Sequence, residues 1–438
     1  MPNLTIEINP PNRRPERATW CARLVVSSLV VLLAGALVLT SAALADAHQR
    51  GGGSRGPIAD QTDNATALQW YDITNQTIAA AGYPEPVTQS RAWSVSWLAA
   101  ARAVGRHGDS SFGVAAFAQA LHDTLAVQVP GQQSQLDADL AQTLSAIPDG
   151  PAKSAGIAAG AQQAREVLTE RQGDGLDTAS VDTPFTAPPA GPGVWQPTPP
   201  TFGPATRAGE GDARPFLLAS ADQFDPGPPP SLSSRTYRTG LAEVRTYGSV
   251  TSVVRTADQT DIALFWEPAI NIQFVQVLRA VLADTRAPLA WQAQFVAAFN
   301  VVTTDAQIAI YHAKFKYLFW RPVTAIRTGS IDPDPSWTPL FTTPRYPDWP
   351  SGHGGVAGAA QEVLTAFLGP NAPSPIEVTS PTDPGSTQTY DRWSQITRQV
   401  IDARVWEGIH FRFSDVAGAR LGDDVARYDL HHLRSLGL

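Results

Sequence analysis

The sequence predicts an all-α protein made of helix bundles, and three observations carry that expectation. Ala-rich stretches with apolar residues at helical spacing fill residues 62–175, and the same pattern returns after residue 236. No convincing strand ladder and no fixed-period repeat interrupts them. Hydrophobic residues make up 43% of the 438-residue chain and charged residues only 16%, a balance that suits a packed core and excludes a disordered chain. The formal net charge of −8 offers no electrostatic support for nucleic-acid binding.

The N-terminus reads as a targeting segment. Arg13, Arg14, Arg17 and Arg23 precede "LVVSSLVVLLAGALVLTSAALA", which carries no charge from Leu24 to Ala45. "ALA" before Asp46 resembles a signal-peptidase site, so residues 1–45 are expected to be a signal peptide and the mature chain to be secreted or extracytoplasmic. The rival is an uncleaved N-terminal membrane anchor, since 22 uncharged residues can span a bilayer. Small residues crowding the end of the run favour cleavage. After cleavage no integral membrane role is expected, because no later apolar run reaches spanning length. Cys21 is the single cysteine, so the mature chain has no disulfide and no thiolate chemistry.

Residues 46–61, rich in Gly and polar groups, read as a flexible lead-in. Residues 62–175 read as an N-terminal helical bundle, its helices separated by "GYPEP", "RHGDSS", "VPGQQS" and "IPDGP". Residues 176–235 are too Pro-rich for helix or central strand. They are expected to form a long, extended but ordered traverse, because Phe185, Trp195, Phe202, Phe216, Leu217 and Phe224 need burial. Residues 236–438 read as the C-terminal helical bundle, with one long helix over "PLAWQAQFVAAFNVVTTDAQIAIYHAKFKYLFW".

Three short stretches of this bundle carry chemistry. In "HAKFKYLFWRP", Lys314 and Arg321 are seven residues apart, which puts both on one helical face if Pro322 stops the helix just after them. In "YPDWPSGHGG", Ser351 reads as an N-cap of a helix running to Gly369-Pro370. Its free N–H groups and partial positive charge suit an anion, Gly352 permits close approach, and His353 stands ready to move a proton. In "ARVWEGIHF", Arg404 and His410 are six apart, with Gly408 available to loosen the helix between them. Three cations, a hydroxyl, a helix start and two histidines make a cage for a tetrahedral oxyanion. "DPDPSW" at 332–336 reads as a turn and His431-His432 as a solvated pair.

In this order the three stretches resemble the signature of the vanadium-dependent haloperoxidases, shared with the type-2 phosphatidic acid phosphatase and bacterial acid phosphatase superfamily. Flanking blocks such as "IPDGPAKSAGIAAG", "RTYGSVTSVVRTADQTDIALFW" and "DAQIAIYHAKFKYLFWRPVTAIR" resemble the bacterial haloperoxidase family, over residues 62–438. The resemblance implies vanadate as cofactor and hydrogen peroxide and halide as substrates. It implies that His410 coordinates the vanadium, while Lys314, Arg321, Ser351, the Gly352 N–H and Arg404 hold its oxygens. His353 would be the acid–base group, Lys314 would polarise the peroxide, and Tyr346 would border the halide site. Two positions depart from the family pattern. Ala403 stands where a serine is usual, and Ser414 where an aspartate is common, with Asp415 next. The partner that orients His410 is therefore open between Ser414, Asp415 and a backbone carbonyl.

The same cage also suits a secreted phosphatase. There His410 would form a phosphohistidine from a phosphate ester, and His353 would protonate the leaving oxygen. A third class, an oxyanion-binding protein without activity, fits poorly, because buried cations without a ligand are costly.

Overall fold

One long apolar helix organises the molecule. The computed structural model describes residues 59–105 and 110–438, so the expected signal peptide and most of the lead-in lie outside the described residues. Five helices come first: α1 (Ala59–Ala81), α2 (Pro86–Val104), α3 (Ser110–Gln128), α4 (Gln133–Ser145) and α5 (Pro151–Glu170). After a short α6 (Thr178–Val181) and the Pro-rich traverse come α7 (Arg235–Tyr247), α8 (Ala257–Phe265), α9 (Asn271–Asp284), α10 (Leu289–Tyr317) and α11 (Pro322–Thr328). The chain ends with α12 (Gly352–Leu368), β1 (Asn371–Ser380), β2 (Asp383–Arg392), α13 (Trp393–Trp406) and α14 (Arg412–His432).

α10 is 29 residues long, about 44 Å at 1.5 Å per residue. It is apolar on all sides, which a helix tolerates only when surrounded. α2 packs on it from the first half of the chain, α12 and α14 from the second. One hydrophobic core therefore runs from Trp70 and Trp97 through Phe295 and Val302 to Val363 and Ile396. The polar residues inside find partners. Thr304 Oγ1 lies 3.1 Å from Ser94 Oγ, and Gln307 Nε2 donates to Ser90 Oγ at 3.1 Å.

The traverse is ordered by specific anchors. Asp305 of α10 is fully buried and accepts from three successive backbone N–H groups, those of Phe216, Leu217 and Leu218. Trp195 is buried, and its N–H donates to the Leu318 carbonyl at 2.7 Å. Phe185 packs edge-on to Phe315, and Phe224 to Tyr428. Phe202 is the exception: it is 63% exposed.

A two-stranded antiparallel hairpin, β1–β2, stands where the sequence pattern shows no ladder. β1 carries Pro373 and Pro375, which obscure the strand signal. In a two-stranded sheet each strand keeps one free edge, so a missing N–H there costs no ladder bond. Ile376, Val378 and Tyr390 turn their side chains into the core.

α12 and α14 approach unusually closely because glycines line their contact. A Cβ at Gly422 would lie 1.9 Å from the Gly355 carbonyl oxygen, and one at Gly358 would lie 2.1 Å from that of Ala419. This packing brings the start of α14 onto the start of α12, where the Ser351 N–H donates to the Ser414 carbonyl at 2.9 Å.

Candidate active site

α10 delivers Lys314 from its last turn into a fully buried position. Its ammonium donates to the carbonyls of Pro347 at 2.8 Å and Asp348 at 3.1 Å. Pro322 does not stop this helix. α10 ends at Tyr317, where Leu318 turns left-handed with φ 50° and its N–H returns to the Lys314 carbonyl. Pro322 instead opens α11, with Arg321 as the N-cap, because proline at the first helical position has no N–H to waste. Lys314 and Arg321 thus share no helix face. The reversal brings them together nonetheless: Lys314 Nζ lies 5.2 Å and Arg321 Cζ 4.9 Å from the centre of the Tyr346 ring.

Ser351 caps α12 as its sequence reads, accepting from the Gly354 N–H at 3.3 Å. The first N–H groups of the helix have no partner within it. His353, in the first turn, donates from Nε2 to the Pro268 carbonyl at 2.9 Å, which leaves Nδ1 with the lone pair. α13 ends at Trp406, and Gly408 reverses the chain with φ 81°, pressed so close to Gly248 that a Cβ would lie 2.3 Å from its carbonyl oxygen. This turn sends His410 inward beside Arg321, whose Nη1 lies 3.0 Å from His410 Nε2.

The orienting partner of His410 is none of the three candidates. Asp348, fully buried, accepts from His410 Nδ1 at 2.8 Å. Ser414 acts one step back, donating to the other oxygen of Asp348. Asp415 is buried nearby, and burial raises its pKa well above the usual range. An Nδ1–H···Asp348 bond fixes the tautomer and puts the lone pair on Nε2, which accepts from Arg321 Nη1 at 3.0 Å and is the nitrogen a ligand or an electrophile would engage. Asp348 lies inside "YPDWPSGHGG". An acid bracketed by aromatic and proline residues beside a helix cap was the available signal, but its pairing with residue 410 is a tertiary fact.

The electrostatics describe a site built for an anion. Burial, then the charges of Arg321, Lys314 and Arg404, push the His410 imidazole well below its ordinary value. Burial, then Arg404, does the same to His353. Burial followed by Arg321 lowers Lys314 well below the usual range. Arg404, on α13, donates from Nη1 to the Trp266 carbonyl at 3.0 Å and pairs with buried Glu407. Burial raises the Glu407 carboxyl to about 8 against the opposing pull of Arg404.

Two guanidinium nitrogens, Arg321 Nη2 and Arg404 Nε, are buried with no hydrogen-bond partner. Such orphans in a cluster of cations fit a missing tetrahedral anion, and the donor set fits vanadate or phosphate equally well. Gly352, His353 and Arg404 open onto a cavity of about 220 Å³.

Sequence reasoning missed Arg207 of its wall and the buried acid that holds it. Arg207, from the traverse, stacks its guanidinium 3.9 Å above the Tyr311 ring. Glu210 grips it with a two-point fork at 2.6 and 2.9 Å. Their pairing at three-residue spacing is ordinary on any surface, so no local signal marks them as site residues.

Residues 294–436 match the family model described as the VCPO second helical-bundle domain. The matched span contains every sequence-predicted site residue, from Lys314 to His410. Solved structures share most of the architecture. A bacterial vanadium-dependent iodoperoxidase superposes with a TM-score of 0.69 at 22% identity, covering 87% of this chain and 98% of that one. A bacterial vanadium-dependent chloroperoxidase in its holo form superposes with a TM-score of 0.64 at 16% identity, covering 80% and 92%. Its apo form gives the same TM-score, covering 81% and 94%. The helical fold is thus that of the vanadium haloperoxidases. No curated protein matches the sequence.

Proposed function

We propose that the protein is a vanadium-dependent haloperoxidase that converts halide, hydrogen peroxide and a proton to hypohalous acid and water. The observation that carries this reading is the cage itself. Lys314, Arg321 and Arg404 are buried around His410 with two guanidinium nitrogens unsatisfied, and the neighbours of this fold are haloperoxidases.

In this reading Lys314, Arg321, Ser351, the Gly352 N–H and Arg404 hold the oxygens of vanadate, and His410 Nε2 binds its vanadium. Bound vanadate supplies an electrophilic centre that activates peroxide toward a halide. The chain's own residues do the rest. Asp348 keeps Nδ1–H of His410 engaged, so that Nε2 presents its lone pair. His353, neutral and with Nδ1 free, takes a proton from entering peroxide and returns it to the leaving oxygen. Buried cations offset charge on the reacting oxygens without needing to reorganise. We further propose that residues 1–45 direct export and are removed near Ala45.

A paired assay tests the reading: bromide oxidation by peroxide with vanadate, against phosphomonoester hydrolysis without it. Vanadate-dependent bromide oxidation, suppressed when excess phosphate is present during reconstitution, is the expected result. Ester hydrolysis with no bromide oxidation would overturn it in favour of the phosphatase.

A further inference from the structure

The cavity onto which His353 and Arg404 open has a second cation on its wall, Arg207, which the oxyanion cage does not use. The structure takes some trouble to hold it there. Its backbone is left-handed, φ 60°, a conformation that a long side chain rarely adopts. Asp182 secures that turn by accepting the Arg207 backbone N–H at 2.8 Å. One face of the guanidinium is covered, 3.9 Å above the Tyr311 ring. Glu210 accepts from Nε at 2.6 Å and from Nη2 at 2.9 Å, and Glu85 lies 3.4 Å from the same Nε.

Nη1 is left over. It makes no hydrogen bond, yet it differs from the orphan nitrogens of Arg321 and Arg404, which are sealed from solvent. Arg207 keeps 7% of its surface and lies on the cavity lining. It thus presents a fixed, open donor beside the cage rather than inside it.

The surroundings select among anions. Glu210 already fills the edge of Nε and Nη2 where a carboxylate would fork, so the corner at Nη1 suits a monatomic anion that one nitrogen can hold. Glu85, Glu210 and, on the exposed side of the lining, Glu267 offset much of the charge. They disfavour a multiply charged ion and keep the binding of a single charge weak. Ile270 and Val356 add apolar wall, which a large, weakly hydrated ion tolerates. A larger cavity, of about 640 Å³ between the traverse, α7 and α11, shares none of these residues and is mainly apolar.

We propose that Arg207 holds the halide ion through Nη1, in the same cavity as His353, and so sets the affinity for it. The choice of halide rests on the reaction proposed above; the geometry by itself asks for a small, singly charged anion.

The test is the quadrupolar line broadening of bromide NMR by the exported protein, with its cage filled by phosphate. Excess broadening that chloride reverses is expected. Arg207→Met should weaken bromide binding about tenfold or more, as one charge-assisted bond is lost. If that variant fails to fold, Arg207→Met combined with Glu210→Met removes the clamp together with the cation, and apolar replacement of a buried ion pair is often neutral for folding. In turnover the KM for bromide should rise by a similar factor while the KM for peroxide stays. The affinity of the cage for phosphate should fall far less than that for bromide. Broadening independent of Arg207, an equal loss of phosphate and bromide affinity, or displacement of bromide by acetate as readily as by chloride would overturn the proposal. Line broadening needs no turnover, so bromide held by Arg207 in a protein that oxidises none would uphold this assignment and count against the reaction alone.

Discussion

His410 Nδ1 and Asp348 Oδ1 lie 2.8 Å apart across 62 residues of chain, both fully enclosed. The pair sets which imidazole nitrogen faces the cage. Asp348→Asn keeps size and fold but can donate to Nδ1, which favours the tautomer with hydrogen on Nε2. Vanadate and phosphate affinity should fall about 10- to 100-fold, as is usual when a ligand's hydrogen-bond partner is removed. Calorimetric titration checks this; unchanged affinity would show that Asp348 does not select the tautomer.

The two histidines should separate. In the proposed reading His410→Ala removes the one bond from protein to vanadium, yet charge-assisted contacts from Lys314, Arg321 and Arg404 would remain, each worth about 1.5–3 kcal/mol. Weak vanadate binding should persist. His353→Ala should leave vanadate in place and reduce turnover by about 10²–10⁴. Vanadate titration of both variants decides it, and the reverse pattern would exchange the two roles.

Glu407 gives the site a pH limit. Its carboxyl, raised to about 8 by burial, is neutral at lower pH and leaves Arg404 free to face an anion. As pH rises through about 8, Glu407 ionises and competes for that guanidinium. The ratio of phosphate affinities, Glu407→Gln over wild type, should stay flat below this pH and grow above it. Taking the ratio cancels phosphate's own titration. Stability has the same sign. A folded pKa raised from 4.5 contributes stability that is present below about 4.5 and lost as pH rises through about 8. A pH series of thermal melts should show this loss in wild type and a smaller one in Glu407→Gln.

Two glycines should respond oppositely to alanine. At Gly422 a Cβ would meet the Gly355 carbonyl oxygen at 1.9 Å, so Gly422→Ala should cost about 1–3 kcal/mol. At Gly113, inside α3, a Cβ would meet nothing within 4 Å, so Gly113→Ala should stabilise by about 0.5–1 kcal/mol. Denaturant melts of the pair measure both; equal effects would deny the close α12–α14 contact.

The fold class was legible because apolar spacing is a local property, and α10 displays it over 29 residues. The cage residues were legible as three motifs in order. What the sequence hid was every relation made by a turn. Lys314 and Arg321 meet through the reversal at Leu318, which apolar spacing cannot register. Asp348 and His410, and Arg207 over Tyr311, meet only after the helices have packed. The hairpin at 371–392 was hidden by its own prolines.

Lys314 sits near the end of a helix that is buried along most of its length, whereas Arg207 and Glu210 come from a segment with almost no regular structure. The two kinds of support differ in what they allow to vary. A change along α10 disturbs the common core and shifts Lys314 with it. The Pro-rich segment is fastened at separate points, among them Asp305 and the Leu318 carbonyl, so a stretch between fastenings can be rewritten on its own. Both cavities draw part of their walls from that segment. Lys314 thus stands on a part that resists alteration, while both cavities take some of their walls from one that accepts it.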